Sequence, residues 1–178
     1  GVAFDGTNYL VVWEEQISDG ADVYGARVSP DGVVLDPDGI AISTAPDGQF
    51  SPKIAFDGAN YLVVWQDRRA EVDDIYGARV TPTGAVLDPD GIRISSAGWP
   101  WDAAPDVTFG GSTYLVTWMT DSDGTTNISG ARVTSAGAVL DPNGIEISTA
   151  QGYQETPAVA FDGTNYLVAW QDGRALSD

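Results

Sequence analysis

Ile54-Ala55-Phe56-Asp57-Gly58-Ala59-Asn60-Tyr61-Leu62-Val63-Val64-Trp65 decides the fold, because the same twelve-residue pattern stands three more times in the chain. It returns as VAFDGTNYLVVW at 2–13, VTFGGSTYLVTW at 107–118 and VAFDGTNYLVAW at 159–170. The anchors Phe4, Phe56, Phe109 and Phe161 lie 52, 53 and 52 residues apart, and Trp13, Trp65, Trp118 and Trp170 repeat the same intervals. The repeat unit is therefore about 52 residues long. The 178 residues divide into units 2–53, 54–106 and 107–158 and a partial unit, 159–178, within a single repeat domain.

Each complete unit keeps one order: an apolar run ending at the Phe, a run such as Tyr61 to Trp65, a run such as Tyr76 to Val80, then a segment like AVLDPDGIRIS from Ala85. Short Gly-bearing connections such as 57–60 and 81–84 separate them, as antiparallel hairpins require. No helical period competes. In Tyr9 to Trp13 both alternate faces are apolar, so the strand must be covered on both sides. Four-stranded units covered by their neighbours predict an all-β chain of β-propeller-type antiparallel blades, about three and a half repeats of ~52 residues. A β-trefoil-like fold is the alternative, although three of its units would leave 159–178 without a place.

The combination of FDGTNYLVVW, YGARV and VLDPDGI resembles tandem repeats of large secreted and cell-surface bacterial proteins, whose units are similar to propeller blades. The resemblance covers nearly the whole chain. It implies a secreted, extracellular or cell-surface location and a scaffold used mostly in adhesion or as an accessory module. The third unit departs from the pattern, with Gly110 in place of Asp5, Asp57 and Asp162, and Ser129 in place of Tyr24 and Tyr76. Both ends fall inside repeat units, so the expectation is a piece of a longer protein carrying further blades, or a homodimer that completes a ring.

Composition narrows the chemistry. Twenty-six acidic residues against eight basic ones give a net charge of −18, which excludes a nucleic-acid partner. No run approaches the roughly 20 apolar residues of a membrane-spanning helix, so no membrane insertion is expected. Without histidine or cysteine the chain forms no Ser-His-Asp or Cys-His catalytic set and no His-based metal site. Only carboxylate chemistry survives.

Sequence variation points to one face. Segments 14–23, 66–75 and 119–128, like 45–52, 97–105 and 150–157, differ strongly between units, and in a propeller both sets lie at the same end of the blades. There Phe50, Trp99, Trp101 and Tyr153 stand just before the first strand of a unit, and Gln49, Asp102 and Gln154 share one slot, three residues before Pro52, Pro105 and Pro157. These seven are the candidate ligand-binding residues, flat aromatic faces beside polar side chains suiting a glycan or a protein partner. The alternative is that the aromatics wedge loops between blades and the glutamines bond neighbouring backbone.

Asp121 and Asp123, in Asp-Ser-Asp-Gly, have the oxygen spacing of a small calcium loop, although Asp and Gly are also ordinary turn residues. No other cofactor is expected. Arg27, Arg79 and Arg132 are read as structural bridges to repeated aspartates. The functional expectation is a non-catalytic extracellular binding or adhesion module, not an enzyme. The alternatives are a structural repeat that assembles or spaces surface proteins, and a carboxylate-dependent glycosidase.

Overall fold

A computed structural model describes every residue except 18–19, 70–71, 96–100, 123 and 175–178. Three four-stranded antiparallel sheets follow one another. They are β1 (Val2–Phe4), β2 (Tyr9–Ile17), β3 (Gly20–Val28) and β4 (Ile40–Ser43), then β5 (Gln49–Phe56), β6 (Tyr61–Asp67), β7 (Asp74–Val80) and β8 (Ile92–Arg93). The third comprises β9 (Asp102–Phe109), β10 (Thr113–Ser122), β11 (Thr125–Thr134) and β12 (Ile145–Ser148), and a two-stranded sheet, β13 (Gln154–Phe161) and β14 (Tyr166–Asp172), follows. Within each sheet the strands pair in sequence order. The first strands of successive sheets lie against one another, which places them innermost. This is the predicted blade arrangement.

The repeated turn explains itself. In Asp5, Asp57 and Asp162 one carboxylate oxygen accepts the amides two and three residues on, at 2.6–2.8 Å. The following glycine takes a positive φ, 97° at Gly58, which a side chain rarely tolerates. The outer connection is fixed by a second device. Arg27 and Arg79 make bidentate contacts to Asp36 and Asp88 at 2.7–2.8 Å, and Arg132 holds Asp141 in the same way. The expected structural bridge is thus present in each complete blade.

Blades bury each other. Leu10, Val12, Val23 and Ile42 of the first blade pack on Tyr61, Val63, Trp65, Ala78 and Val80 of the second. The back of the second, with Leu62, Val64, Ile75 and Ile94, meets the same positions of the third, Tyr114, Val116, Trp118, Ala131 and Val133. At about 25 cal/mol per Å² of apolar surface removed from water, the burial at these two junctions holds successive blades together.

A tyrosine latches each junction: the hydroxyls of Tyr61, Tyr114 and Tyr166 donate to the carbonyls of Asn8, Asn60 and Thr113 in the preceding blade. Burial and the neighbouring carboxylates of Asp5 and Asp57 push the Tyr61 and Tyr114 hydroxyls above their ordinary range. At the last junction the Tyr166 hydroxyl occupies the space that a β-carbon at position 110 would need. Tyr61 and Tyr114 sit beside Asp5 and Asp57 at the other junctions, so the Tyr166 ring takes room that Gly110 leaves open.

Candidate functional site

The variable connections and the starts of β5, β9 and β13 share one end of the blades. Gln49 and Gln154 are fully buried there, and their amides turn back to the loop: Gln49 Nε2 donates to the carbonyl of Ala45 at 3.1 Å and Gln154 Nε2 to that of Gly152 at 3.1 Å. The Phe50 ring folds over Gly48 and stacks beneath the Arg68 guanidinium, 4.8 Å from the ring centre. Trp101 is half-buried and its carbonyl accepts the Asp121 amide at 2.9 Å. Tyr153 is 56% exposed. Trp99 and Asp123 lie outside the described residues, and among the described residues no group of three or more acidic side chains is arranged to hold a metal ion.

A one-residue bulge interrupts β5, β9 and β13, marked by positive φ at Ser51, Ala104 and Thr156. Bulges of this kind re-aim the residues beyond them. Beyond the bulge Gln49 pairs across the strands with Asp67, and Gln154 with Asp172. Each of these aspartates is clamped by an arginine, Arg69 at 2.6 Å and Arg174 at 2.6 Å, and Asp67 also accepts the Trp65 indole N–H at 2.8 Å. In the third blade the pair is transposed. Asp102 stands where the glutamines are, and Thr120 stands where the aspartates are.

The transposition moves a carboxyl onto the innermost strand and strips it of its cation, since position 122, equivalent to Arg69 and Arg174, is a serine. Asp102 is 2% exposed, accepts a short hydrogen bond from the Thr120 hydroxyl and makes no ion pair among the described residues. Burial pushes its pKa up, the Thr120 and Ser95 hydroxyls lower it, and the charge of Asp74 raises it, the net being upward. Two more buried carboxylates line the same junction. Asp73 is held by Gln66 and Arg68 at 2.8 Å each, while Arg93 lies 2.9 Å from Asp74 Oδ2 without hydrogen-bond geometry, leaving that oxygen without a hydrogen-bond partner. On the neighbouring innermost strand, β13, half-buried Glu155 presents a further carboxylate at the same end, and the Val159 amide donating to Asp106 Oδ2 at 2.8 Å ties β13 to β9.

Sequence reasoning singled out Asp102 as a ligand-binding candidate but not Thr120 or Glu155, which the structure places at the same end of the blades. The signal for Thr120 was present: wherever Gln stands at the slot, an Asp stands two residues after the Trp.

These environments set a pH dependence. The Arg27 and Arg79 guanidiniums depress Asp36 and Asp88, so their contribution to stability is present above the unfolded value near ~3.9 and is lost as pH falls through the depressed values. Asp102 and the buried Asp22 are raised, so theirs is present below the unfolded value and is lost as pH rises through the raised one. The melting temperature of Asp102→Gln relative to the unsubstituted chain is therefore expected to rise with pH from about 4 and then level off. Thermal unfolding between about pH 3 and 8 measures this, and a pH-independent difference contradicts the assignment of a raised Asp102.

No family model and no curated protein sequence matches the chain. Among solved structures it is similar to a thermostable family-43 glycoside hydrolase (TM-score 0.61, 15% identity, 95% of this chain and 63% of that one). It is also similar to an α-L-arabinofuranosidase from Lactobacillus brevis (0.64, 9%, 99% and 66%) and an endo-arabinanase from Bacillus licheniformis (0.52, 16%, 96% and 71%). The chain spans just under two thirds of the first two. At these identities the likeness shows the fold, a β-propeller. It also corrects the functional expectation: these neighbours are glycoside hydrolases, which overturns the reading as a non-catalytic binding or adhesion module and as a non-enzyme. The physical reason is that glycosidic hydrolysis runs on two carboxyl groups, the chemistry that the composition had left open as an alternative.

Proposed function

We propose that the chain is the propeller of a carboxylate-dependent glycoside hydrolase acting on arabinose-containing glycans. The observation that carries the reading is Asp102: a carboxyl with no ion pair among the described residues, buried at the start of an innermost strand and held toward its protonated form, in a fold shared with glycoside hydrolases. A glycosidase needs one acid that keeps its proton to protonate the leaving oxygen, and a second carboxylate facing the sugar. Asp102 is assigned the first role and Glu155, on the adjacent innermost strand, the second. Exposed Tyr153, with Phe50 and Trp101, would supply flat walls for the sugar rings above them. The resemblance of the repeats supports a secreted or cell-surface setting.

The test is release of reducing ends from arabinan and of the chromophore from an aryl α-L-arabinofuranoside. Turnover that survives purification supports the reading. Its absence between about pH 4 and 8 overturns it.

A specific observation favours self-association as well. On the first blade Val11, Trp13, Tyr24 and Val34 line an open groove of about 570 Å³, while their counterparts Val63 and Trp65 are fully buried by a neighbouring blade. At the other end of the arc Leu167 is 71% exposed, whereas Leu10 and Leu62 are fully buried. A second copy that brings these faces together would cover both. The native mass in solution tests this: a species heavier than one chain supports it, and a stable monomer at high concentration contradicts it.

A further inference from the structure

The third repeat differs from the first two at positions that are scattered in sequence. Tyr24 and Tyr76 become Ser129, Asp38 and Asp90 become Asn143, Asp22 and Asp74 become Asn127, and Glu15 and Asp67 become Thr120. In space the four meet. Together with Trp118 and Glu146 they line one pocket on the third blade, holding about 60 Å³.

The missing ring made the room. In the first repeat the Tyr24 ring stacks on Trp13, centroids 6.5 Å apart, and in the second the Arg69 guanidinium sits 4.3 Å over Tyr76. At Gly39 and Gly91 the tyrosine ring lies 3.3 and 3.2 Å from where a β-carbon would be. At Gly144, the same position in the third repeat, the nearest atoms are 3.8 Å away and belong to Trp118 and the Gly130 backbone.

We propose that this pocket binds the vicinal hydroxyls of a neutral saccharide or small polyol. Its volume is that of about two water molecules, the space two adjacent hydroxyl groups take when they replace water. Three positions that are acidic in the other repeats are neutral here, in a chain of net charge −18, so the pocket is not built for a cation. Asn127, Ser129 and Asn143 make no side-chain hydrogen bond among the described residues and offer both donors and acceptors, while Glu146 on the rim accepts hydroxyl protons. The indole of Trp118 supplies an apolar wall. Neither Asp102 nor Glu155 lines this pocket, which adjoins Asp102 through the Thr120 hydroxyl, and binding in it does not depend on turnover.

Ser129→Tyr tests it, because that substitution restores the residue the other two repeats use in this space. Saturation-transfer NMR with L-arabinose and with glycerol as separate probes is expected to show transfer to both with the unsubstituted chain, and at least about tenfold weaker binding with Ser129→Tyr at an unchanged or higher melting temperature. Asn143→Asp, on the exposed rim, restores a repeat carboxylate without filling the pocket and is expected to weaken binding by several-fold, which keeps the test readable if the ring disturbs folding. Equal transfer to the unsubstituted chain and both variants, or none to the unsubstituted chain, overturns the proposal. Transfer to L-arabinose alone narrows the ligand to a sugar, and binding without hydrolysis leaves this site standing while removing the hydrolase reading.

Discussion

Trp65→Ala is expected to destabilise the chain by about 3–5 kcal/mol. The indole is fully buried in the junction of the first two blades, among Leu10, Val12 and Ile42, and its N–H donates to Asp67 at 2.8 Å. Truncation opens a cavity and removes a donor from a buried carboxylate that then depends on Arg69 alone. The same substitution at Trp13 is expected to cost less than about half as much, because that indole is half-exposed and its partner Glu15 is in solvent. Urea unfolding at constant m reads both. Equal losses at the two positions would contradict the packing described between blades.

Asp102→Gln has the largest expected effect on activity. Removing a general acid lowers kcat/KM by about 10²–10⁴-fold. The substitution is unusually clean, since glutamine is what the fold itself places at this slot in Gln49 and Gln154, both fully buried. Thr120 loses its carboxylate acceptor, but an amide oxygen can replace it, so the variant is expected to fold with unchanged or higher stability at neutral pH. A similar loss in Glu155→Gln would place the second carboxylate. A variant of Asp102 with full activity would remove the assigned acid.

Much of the fold was legible in the sequence because it is written four times. The Phe-to-Phe spacing, the Asx turns at Asp5, Asp57 and Asp162, and the apolar alternation on both faces of Tyr61 to Trp65 are local features, and local features survive into the structure. The arginine bridges were readable for the same reason. The site was less so. The bulges at Ser51, Ala104 and Thr156 shift the strand register by one residue, so the partner of Asp102 cannot be counted back from the hairpin turn. Thr120 therefore looked unrelated to it. Likewise the emptied space beside Gly144 follows from Ser129 only when the position of the tyrosine ring in the other blades is known. Composition left carboxylate chemistry open, but what sets Asp102 apart from the repeated acids, burial with a hydroxyl rather than a cation as its partner, arises only in the fold.

The pH profile of kcat/KM on an aryl α-L-arabinofuranoside tests the central claim most directly. An acid must hold its proton to act, so activity is predicted to fall about tenfold per pH unit above the raised pKa of Asp102, and that limb is predicted to vanish in Asp102→Gln. A profile that stays flat above that pKa, or a falling limb that persists in Asp102→Gln, would contradict the account.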